Sequence, residues 1–293
     1  MSTGGQPTTR PLPASAGVGL RLPHLAEVVA TRPPVPWFEI HPETFLANPH
    51  AVELLVQVAE HYPVSVHTVG VSIGSAHGLD RDHLRRVRAI IDLINPSAVS
   101  GHVAWSTHPG EYLNDLLPLP YDEATVALLG DHIGQVQDAL DRPYLVENPS
   151  SYVGFLGSTM SEPEFLSALV RRSGCQLVCD ISNIHLSSRN MGFDARRYVD
   201  ELPGDAIREF HLGGYEAEDD PATPGATLLV DTHGTPVSDP AWDLYAYAIR
   251  RFGIRPTLIE WDNELPPLAT LIGEARRADR VAASVVPGNV PAH

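Results

Sequence analysis

The sequence predicts a closed (β/α)8 barrel, an α/β fold in which eight parallel strands alternate with eight helices. Short runs rich in β-branched and aromatic residues alternate with longer amphipathic stretches along most of the 293 residues. Asp, Glu or His recurs at the end of seven of the eight runs, as at the rim of a barrel enzyme. The alternative, an open doubly wound sheet, usually has a glycine-rich phosphate turn after its first strand, and Gly17-Val-Gly19 lacks the third glycine of that turn.

Eight runs have the length and composition of buried parallel strands. In chain order they are Gly17–Leu20, Trp37–Ile40, Val64–Thr68, Ala98–Trp105, Tyr144–Glu147, Gln176–Ile181, Ile207–Leu212 and Thr257–Trp261. Eight other stretches have helical periodicity. They are Pro23–Ala30, Ala51–His61, Arg81–Ile94, Thr125–Leu140, Pro163–Arg172, Ala195–Leu202, Ala241–Phe252 and Pro267–Ala282. Within Arg81–Ile94, apolar residues at 84, 87, 90, 91 and 94 form one stripe, which predicts a helix with one buried face.

The barrel is predicted to be one catalytic domain over residues 17–280. Both ends of the chain are rich in proline, glycine and small residues, which predicts a flexible N-terminal arm at 1–16 and a flexible C-terminal tail at 281–293. No second domain and no internal repeat is expected between them.

Two connections are longer than the others, namely 148–161 after the fifth predicted strand and 213–240 after the seventh. The second contains its own apolar run, Thr227–Val230. Both would emerge at the C-terminal face, where barrel enzymes hold their active sites. Tyr152 and Tyr215 in these connections are predicted to line a substrate channel.

The composition excludes several classes of function. The net charge of -16 argues against a nucleic-acid partner, because phosphate binding depends on clustered Lys and Arg. All 20 basic residues are arginine, which excludes Schiff-base chemistry and a lysine general base. No apolar run reaches the roughly 20 residues that span a membrane, and the N-terminus lacks the apolar segment of a secretory signal.

The two cysteines indicate a reducing compartment. Cys175 and Cys179 are too few for a disulfide framework. They lie four apart in one predicted strand, so they share a face but are too far apart along it to bond. We therefore expect buried, reduced cysteines in a cytoplasmic protein without a membrane partner.

The last inward-facing residue of seven consecutive strands is Asp, Glu or His. In strand order these residues are Glu39, His67, His102, Glu147, Asp180, His211 and Glu260. Any one of them alone is explained by a hydrogen-bonded core or a solvated strand end. Four carboxylates at one rim repel strongly unless cations compensate them, and imidazole with carboxylate suits Fe, Mn, Zn or Co. The pattern therefore predicts a cluster of two or three metal ions.

Further residues are predicted to complete this cluster. Asp231 and His233 stand two apart, so extended backbone presents both on one face and lets them bind one ion, although a surface turn explains the tripeptide about as well. Side chains that hydrogen-bond a ligand orient it. The residues predicted in that role are Glu39, Glu43, Asn183 and His185.

Several segments in this order and spacing are shared with a known family. They are Trp37-Phe-Glu39-Ile-His-Pro-Glu43, His67-Thr-Val-Gly-Val-Ser-Ile-Gly74, Ser100-Gly-His102-Val-Ala-Trp105, Val146-Glu147-Asn148-Pro-Ser, Cys179-Asp180-Ile-Ser-Asn183-Ile-His185, Glu209-Phe-His211-Leu-Gly-Gly, Asp231-Thr-His233-Gly and Ile259-Glu260-Trp261-Asp262. From about Gly17 to Glu264 the chain resembles the multinuclear non-haem iron-dependent oxidative enzymes, a bacterial family that includes the methanobactin-biosynthesis oxidase. Their fold is similar to that of xylose-isomerase-like metal barrels.

The resemblance implies both a cofactor and a substrate. It implies two or three irons in mixed Fe(II)/Fe(III) states, with O2 as co-substrate. It also implies oxidation of a cysteine, or another residue, of a ribosomally made precursor peptide, whose leader a partner protein binds. His102, Glu147 and Asp180 are expected to be catalytic. The implied metal ligands are His67, His102, Glu147, Asp180, His211, Asp231, His233 and Glu260.

Alternative functions use the same ligands. A di- or trinuclear zinc or manganese hydrolase of the endonuclease type would use them to activate water, but the net charge of -16 disfavours a DNA substrate. A sugar isomerase of this barrel type depends on a lysine near the metal, which the chain lacks. A barrel that only binds a partner would leave the ring of carboxylates without a purpose.

Overall fold

The computed structural model describes residues 10–108, 111–220 and 222–285. Strands in this part of the chain are β1 (Ala16–Gly19), β2 (Phe38–Ile40), β3 (Val64–Thr68), β4 (Ala98–His102), β5 (Trp105–His108), β6 (Glu111–Leu117), β7 (Leu145–Glu147), β8 (Gln176–Asp180), β9 (Ile207–Gly213), β10 (Tyr215–Asp219), β11 (Thr227–Asp231) and β12 (Thr257–Glu260). Eight of them, β1, β2, β3, β4, β7, β8, β9 and β12, pair in parallel in that order and close into a barrel. The predicted (β/α)8 fold is confirmed.

Helices connect and surround these strands. They are α1 (Leu22–Thr31), α2 (Pro49–His61), α3 (Arg81–Ile94), α4 (Glu123–Leu140), α5 (Glu162–Ser173), α6 (Ile181–Met191), α7 (Ala195–Glu201), α8 (Asp239–Phe252) and α9 (Leu268–Val285), with 3-10 turns at Pro42–Phe45 and Gly204–Ala206. Side chains cap free backbone amides where helices begin, for example Asp80 at α3, Asp122 at α4 and Ser161 at α5.

The core lies between the barrel strands and the helices. All five apolar residues of the stripe predicted in Arg81–Ile94 are buried in α3, which confirms that helix. Cys175 and Cys179 are free and buried, as the sequence predicts. Seven side chains two positions before the strand-end residues are also buried. They are Trp37, Ser65, Ser100, Leu145, Val178, Glu209 and Leu258.

The prediction of one strand over Ala98–Trp105 is wrong at its end. β4 stops at His102, and Trp105 begins β5, which leaves the barrel and pairs antiparallel with β6. β-rich residues continue through the break, so composition alone does not locate it. Residues 109 and 110, between β5 and β6, lie outside the described residues.

Helix α6 is absent from the predicted set. Its residues include Ser, Asn and His, which have modest helix propensity. The helix is stabilised at its start because the Asp180 side chain accepts a hydrogen bond of 2.6 Å from the Asn183 amide. The predicted strand Gln176–Ile181 therefore ends one residue early, at Asp180.

The apolar run predicted within the connection after β9 is a strand. Thr227–Val230 lies in β11, which pairs antiparallel with β10. Both hairpins, β5–β6 and β10–β11, follow the carboxyl ends of barrel strands. They therefore lie at the face where the strand-end residues converge.

The elements nearest the two ends of the described chain are β1 and α9. β1 begins at Ala16, and Arg10 donates hydrogen bonds to the carbonyl oxygens of His61 and Ala59, so the described part of the predicted arm contacts α2. α9 continues to Val285, beyond residue 280. Residues 1–9 and 286–293 lie outside the described residues. Among the helices that the structure describes, none has the length and apolarity to cross a membrane.

Candidate metal centre

Seven acidic and histidine side chains lie at the carboxyl ends of neighbouring barrel strands. Strand pairing places His102 of β4 beside Glu147 of β7, and Asp180 of β8 beside His211 of β9. Six of the seven are buried, while His102 keeps 13% of its side chain exposed. The cluster is therefore enclosed on most sides and reaches solvent at His102.

Three overlapping groups of these residues have the spacing of metal ligands. They are Glu39, His67 and His211; His67, His102 and Glu147; and Glu147, Asp180, His211 and Glu260, and within each group the ligand atoms lie within 4.8 Å of one another. Each pair of groups shares one residue. The cluster can therefore hold more than one metal ion in adjacent positions.

Distances within the groups match the ligand shell of an ion. Two ligand atoms at right angles, each about 2.1 Å from one ion, lie about 3 Å apart. His67 Nε2 lies 3.0 Å from His102 Nε2 and 3.2 Å from Glu147 Oε2. His211 Nδ1 lies 3.2 Å from Glu260 Oε1. A cation would convert these close contacts between lone pairs into attractive ones.

Many buried polar atoms of the cluster have no hydrogen-bond partner among the described residues. They are Glu39 Oε1 and Oε2, Glu147 Oε2, Asp180 Oδ2, Glu209 Oε1 and Oε2, His211 Nδ1 and Nε2, and Glu260 Oε2. Each buried group left unpaired costs about 1–3 kcal/mol, and more if it is charged. Oxygen and nitrogen atoms that converge without partners fit a metal centre.

The imidazoles fall into two electrostatic classes. Burial lowers the pKa of His67 well below its usual range and lowers the pKa of His102 to about 4. Both rings therefore stay neutral and keep a nitrogen lone pair for a metal. Burial also opposes protonation of His211, but carboxylates around it, Glu260 foremost, raise its pKa well above the usual range. Metal binding at His211 would therefore release a proton.

The carboxyl groups divide in the same way. Burial raises the pKa of Glu39 to about 8 and raises the pKa of Asp180 well above its usual range. Burial acts in the same direction on Glu260, but His211 and His233 outweigh it and lower the pKa of Glu260 to about 2. Several acids thus stay protonated until a cation replaces their protons.

Neighbouring polar groups orient the ligands. Ser100 Oγ lies 2.7 Å from His67 Nδ1, which directs His67 Nε2 into the cluster. One oxygen of Asp180 caps α6 through the Asn183 amide, while the other has no hydrogen-bond partner in the part of the chain that the structure describes. The Asn183 side chain donates to Glu147 Oε1 at 3.4 Å and to the Asn148 carbonyl at 3.2 Å.

Asp231 and His233 join the cluster from the β10–β11 hairpin. His233 Nε2 lies 2.8 Å from Asp231 Oδ1 and 3.7 Å from Glu260 Oε2. They are outside the three closest groups. His233 adopts a left-handed backbone conformation with φ of 47°, and a β-carbon at Gly213 would lie 2.5 Å from its ring. Glycine at position 213 therefore leaves the space that the His233 ring occupies.

His233 contacts a network of polar side chains to which the sequence alone assigned no role. Asp262 Oδ2 lies 3.3 Å from His233 Nδ1, and Asp262 Oδ1 accepts a hydrogen bond of 2.6 Å from Arg21 Nε. Arg21 Nη2 also lies 3.0 Å from His41 Nε2. The signal for Asp262 is its spacing of two from Glu260, and Arg21 stands two beyond Gly19 at the end of β1. The segment that follows β1, the one barrel strand without an Asp, Glu or His at its end, thus brings the cation Arg21 to the ring.

Two glutamates of the barrel interior are closer to the centre than expected. Glu39, predicted to orient a ligand, has an oxygen within the first ligand group. Glu209, without a predicted role, is fully buried, and its Oε1 lies 3.5 Å from His211 Nε2. Its position two before His211 in β9 is the signal that identifies it.

Glu43 and His185, predicted to orient ligands, lie outside the three ligand groups. Glu43 Oε1 accepts a hydrogen bond from the Gly70 amide and lies 3.1 Å from His83 Nε2. His185 Nε2 lies 3.3 Å from the Tyr215 hydroxyl.

A cavity of about 360 Å³ opens over the cluster. Its lining includes His102, His233 and Glu260, together with Tyr112 of β6 and Tyr152 of the connection after β7. The Tyr152 hydroxyl accepts a hydrogen bond from the Asp231 amide. A molecule in this cavity would reach the ligand atoms directly.

Solved structures share the fold. A xylose isomerase-like TIM barrel protein from Mycobacterium smegmatis, in complex with magnesium, has a TM-score of 0.61 at 14% identity, covering 92% of this chain and 97% of its own. L-ribulose 3-epimerase has a TM-score of 0.60 at 13% identity, covering 96% of this chain and 100% of its own. At these identities the likeness shows a xylose-isomerase-like barrel and nothing of the reaction.

Sequence relatives are much more similar. A UPF0276 protein from Chromobacterium violaceum is 44% identical over 270 residues, which are 92% of this chain and 95% of the relative. A UPF0276 protein from Caulobacter vibrioides is 41% identical over 280 residues, which are 95% of this chain and 99% of the relative. Residues 15–283 match the family described as RiPP precursor modification enzyme MbnB/TglH/ChrH, where RiPP denotes a ribosomally synthesised and post-translationally modified peptide. This protein therefore belongs to the MbnB/TglH/ChrH family of RiPP precursor modification enzymes.

Proposed function

We propose that this protein is a cytoplasmic multinuclear iron oxygenase or oxidase that modifies a cysteine, or another residue, of a RiPP precursor peptide with O2 as co-substrate. In this proposal residues 17–280 are the catalytic domain, and the cluster holds two or three irons in mixed Fe(II)/Fe(III) states. A partner protein presents the leader of the peptide. Family membership supports the peptide substrate. Nitrogen and oxygen donors without thiolate suit iron, manganese, zinc or cobalt, and the resemblance to iron-dependent oxidative enzymes selects iron among them.

One observation carries the proposal. His67, Glu147 and His211 each belong to two of the three ligand groups. Adjacent ions held through shared side chains would act on one substrate in the cavity above them. A site for a single ion would not need this overlap.

When bound, iron supplies redox chemistry that no side chain of the chain can perform. His67 and His102 offer neutral imidazoles, and Ser100 holds the ring of His67 in place. Despite burial, Asp231 and Glu260 raise the pKa of His233 well above its usual range, so this ring can hold a proton beside the substrate cavity. Asp262 accepts that proton's hydrogen bond at His233 Nδ1.

Metal content and oxygen uptake test the proposal. Protein purified without oxygen should contain about two or more irons per chain, as expected for seven or more converging ligands. Oxygen consumption should require a cysteine-bearing precursor peptide, such as one encoded beside this chain, together with its partner protein. Clean zinc occupancy without oxygen uptake would favour the hydrolase alternative and overturn the proposal.

A pair of histidine variants separates the cluster from the rest of the surface. His102→Ala removes a ligand that faces the cavity and should lose both metal and activity. His50→Ala replaces an exposed histidine at the start of α2 and should keep both. Retention of full metal content by His102→Ala would contradict the assigned centre.

A further inference from the structure

A second groove, of about 510 Å³, lies beside the mouth of the barrel. Much of its lining is apolar or aromatic. These side chains are Leu119, Tyr121, Val153, Phe155, Met191, Phe193 and Tyr198. Val153 and Phe155 keep 59% and 44% of their surface exposed, and the neighbouring Leu156 is fully exposed. Apolar side chains concentrated at one groove indicate a binding surface.

One carboxylate in this groove, that of Glu162, has one oxygen without a well-formed hydrogen bond among the described residues. Glu162, the first residue of α5, lies beside the hydroxyl groups of Tyr121 and Tyr198. Its Oε1 and the Tyr198 hydroxyl are nevertheless buried without a well-formed hydrogen bond among the described residues. Burial raises the pKa of Glu162 to about 7. An incoming cationic donor would stabilise this carboxylate in its charged form.

The remaining charges of the groove do not compensate Glu162. Arg197 donates to Glu201 Oε1 at 2.7 Å, so its charge is already paired. The Asp194 side chain caps α7 by accepting hydrogen bonds from backbone amides. Three carboxylates thus line the groove against one guanidinium, in a chain of net charge -16. The groove favours a positively charged ligand.

The connection after β7 separates this groove from the cavity over the cluster. Ser150 and Tyr152 line the cavity, whereas Ser151 and Val153 line the groove. Alternate residues of this one segment therefore line the two sites. A peptide lying across this segment can occupy both at once.

Residues outside the described ranges, 1–9, 109–110, 221 and 286–293, contain neither Lys nor Arg. None of them can therefore place a lysine or arginine side chain in the groove.

We propose that the groove binds a basic side chain, arginine or lysine, of the same peptide whose reactive residue occupies the barrel mouth. The apolar stem of that side chain packs against the aromatic wall, and its charged end reaches Glu162 and Tyr198. The identity of the ligand as a precursor peptide rests on the proposed function. The preference of the groove for a basic side chain rests on the contacts above.

Binding of two labelled peptides tests the proposal. Fluorescein-labelled Ser-Gly-Leu-Arg-Leu-Gly-Ser and the same peptide with citrulline in place of arginine differ in charge but hardly in shape. The full chain, with its bound metal and without oxygen, should bind the arginine peptide about tenfold or more tightly, as expected for a buried charged hydrogen bond. Fluorescence anisotropy measures both dissociation constants.

Three variants test whether Glu162 causes the preference for the arginine peptide over the citrulline peptide. Glu162→Gln should bind both peptides equally, whereas Glu123→Gln, the same change in the exposed first turn of α4, should keep the tenfold preference. Phe155→Ala should weaken both peptides alike and keep their ratio, because it removes apolar contact only. Circular dichroism checks that each variant is folded.

Several results would overturn the proposal. These are equal affinity of the wild type for both peptides, no binding of the arginine peptide at millimolar concentration, or a preference that persists in Glu162→Gln. Binding is measured without turnover, so it is independent of the proposed reaction. A Glu162-dependent preference in a protein that consumes no oxygen would retain the groove and reject the oxygenase. Oxygen uptake without a preference would do the reverse.

Discussion

The barrel mouth and the groove beside it both bury carboxylate oxygens that have no hydrogen-bond partner among the described residues, but they differ in the number and spacing of donors. In the mouth, acidic and histidine atoms converge within 4.8 Å in three overlapping groups. In the groove, Glu162 stands among aromatic and apolar side chains, with the other charges paired or capping a helix. Closely spaced donors fit inorganic cations, whereas one carboxylate in an apolar wall fits an organic cation with an apolar stem.

Among the variants that test this difference between the mouth and the groove, Glu147→Gln should have the largest effect on metal content and activity. The change removes a charge that two of the three ligand groups share. We expect loss of at least one metal ion per chain and a fall in activity of about 100-fold or more, measured by elemental analysis and turnover. Glu123→Gln provides the matched control, and peptide binding in the groove should not change. Full metal content in Glu147→Gln would remove Glu147 from the ligands.

Metal removal should reveal a pH dependence that belongs to the mouth. Burial raises the pKa of Glu39 to about 8 in the folded protein, against 4.5 for the free side chain, so the metal-free fold binds the extra proton between these values. His67 and His102, whose pKa burial lowers, oppose this effect below about 6.5, the pKa of a free histidine. Stability of the metal-free protein should therefore fall as the pH rises from about 6.5 to about 8. Bound metal should add about 3 kcal/mol and suppress that fall, measured by urea unfolding with and without chelator. Parallel curves for both forms would contradict the assignment.

Asp262→Asn tests whether Asp262 holds the His233 ring in position at the barrel mouth. The variant keeps the shape of the side chain but weakens its contacts with His233 and Arg21. We expect activity or metal affinity to fall about 10- to 100-fold, as for groups that orient metal ligands. Asp219→Asn, on the exposed strand β10, should leave both unchanged. Loss of peptide binding in the groove by Asp262→Asn would show that the two sites are coupled.

The smallest effect is expected from Glu162→Gln on stability. Because burial raises the pKa of Glu162 to about 7 from 4.5, the folded wild type should lose stability as the pH rises through that window and stay level above it. Its partial exposure reduces the expected loss to about 1–2 kcal/mol. The variant should lack this loss with or without metal, in contrast to the mouth. A pH profile identical to that of the wild type would show that Glu162 remains solvated.

The ring of strand-end residues is predictable from the sequence alone. Side chains alternate along a strand and parallel strands end at one face, so local geometry is enough to bring Glu39, His67, His102 and Glu147 toward a common rim. The absence of lysine is also known from the sequence alone, because it is a property of composition. The structure places these residues together.

Only the tertiary structure decided which other groups reach the two sites. Arg21 meets Asp262 across 241 positions of sequence, and the groove forms where the connection after β7 packs beside α5 and α7. Propensity and periodicity describe neighbours along the chain, whereas these contacts join segments that closure of the barrel brings together.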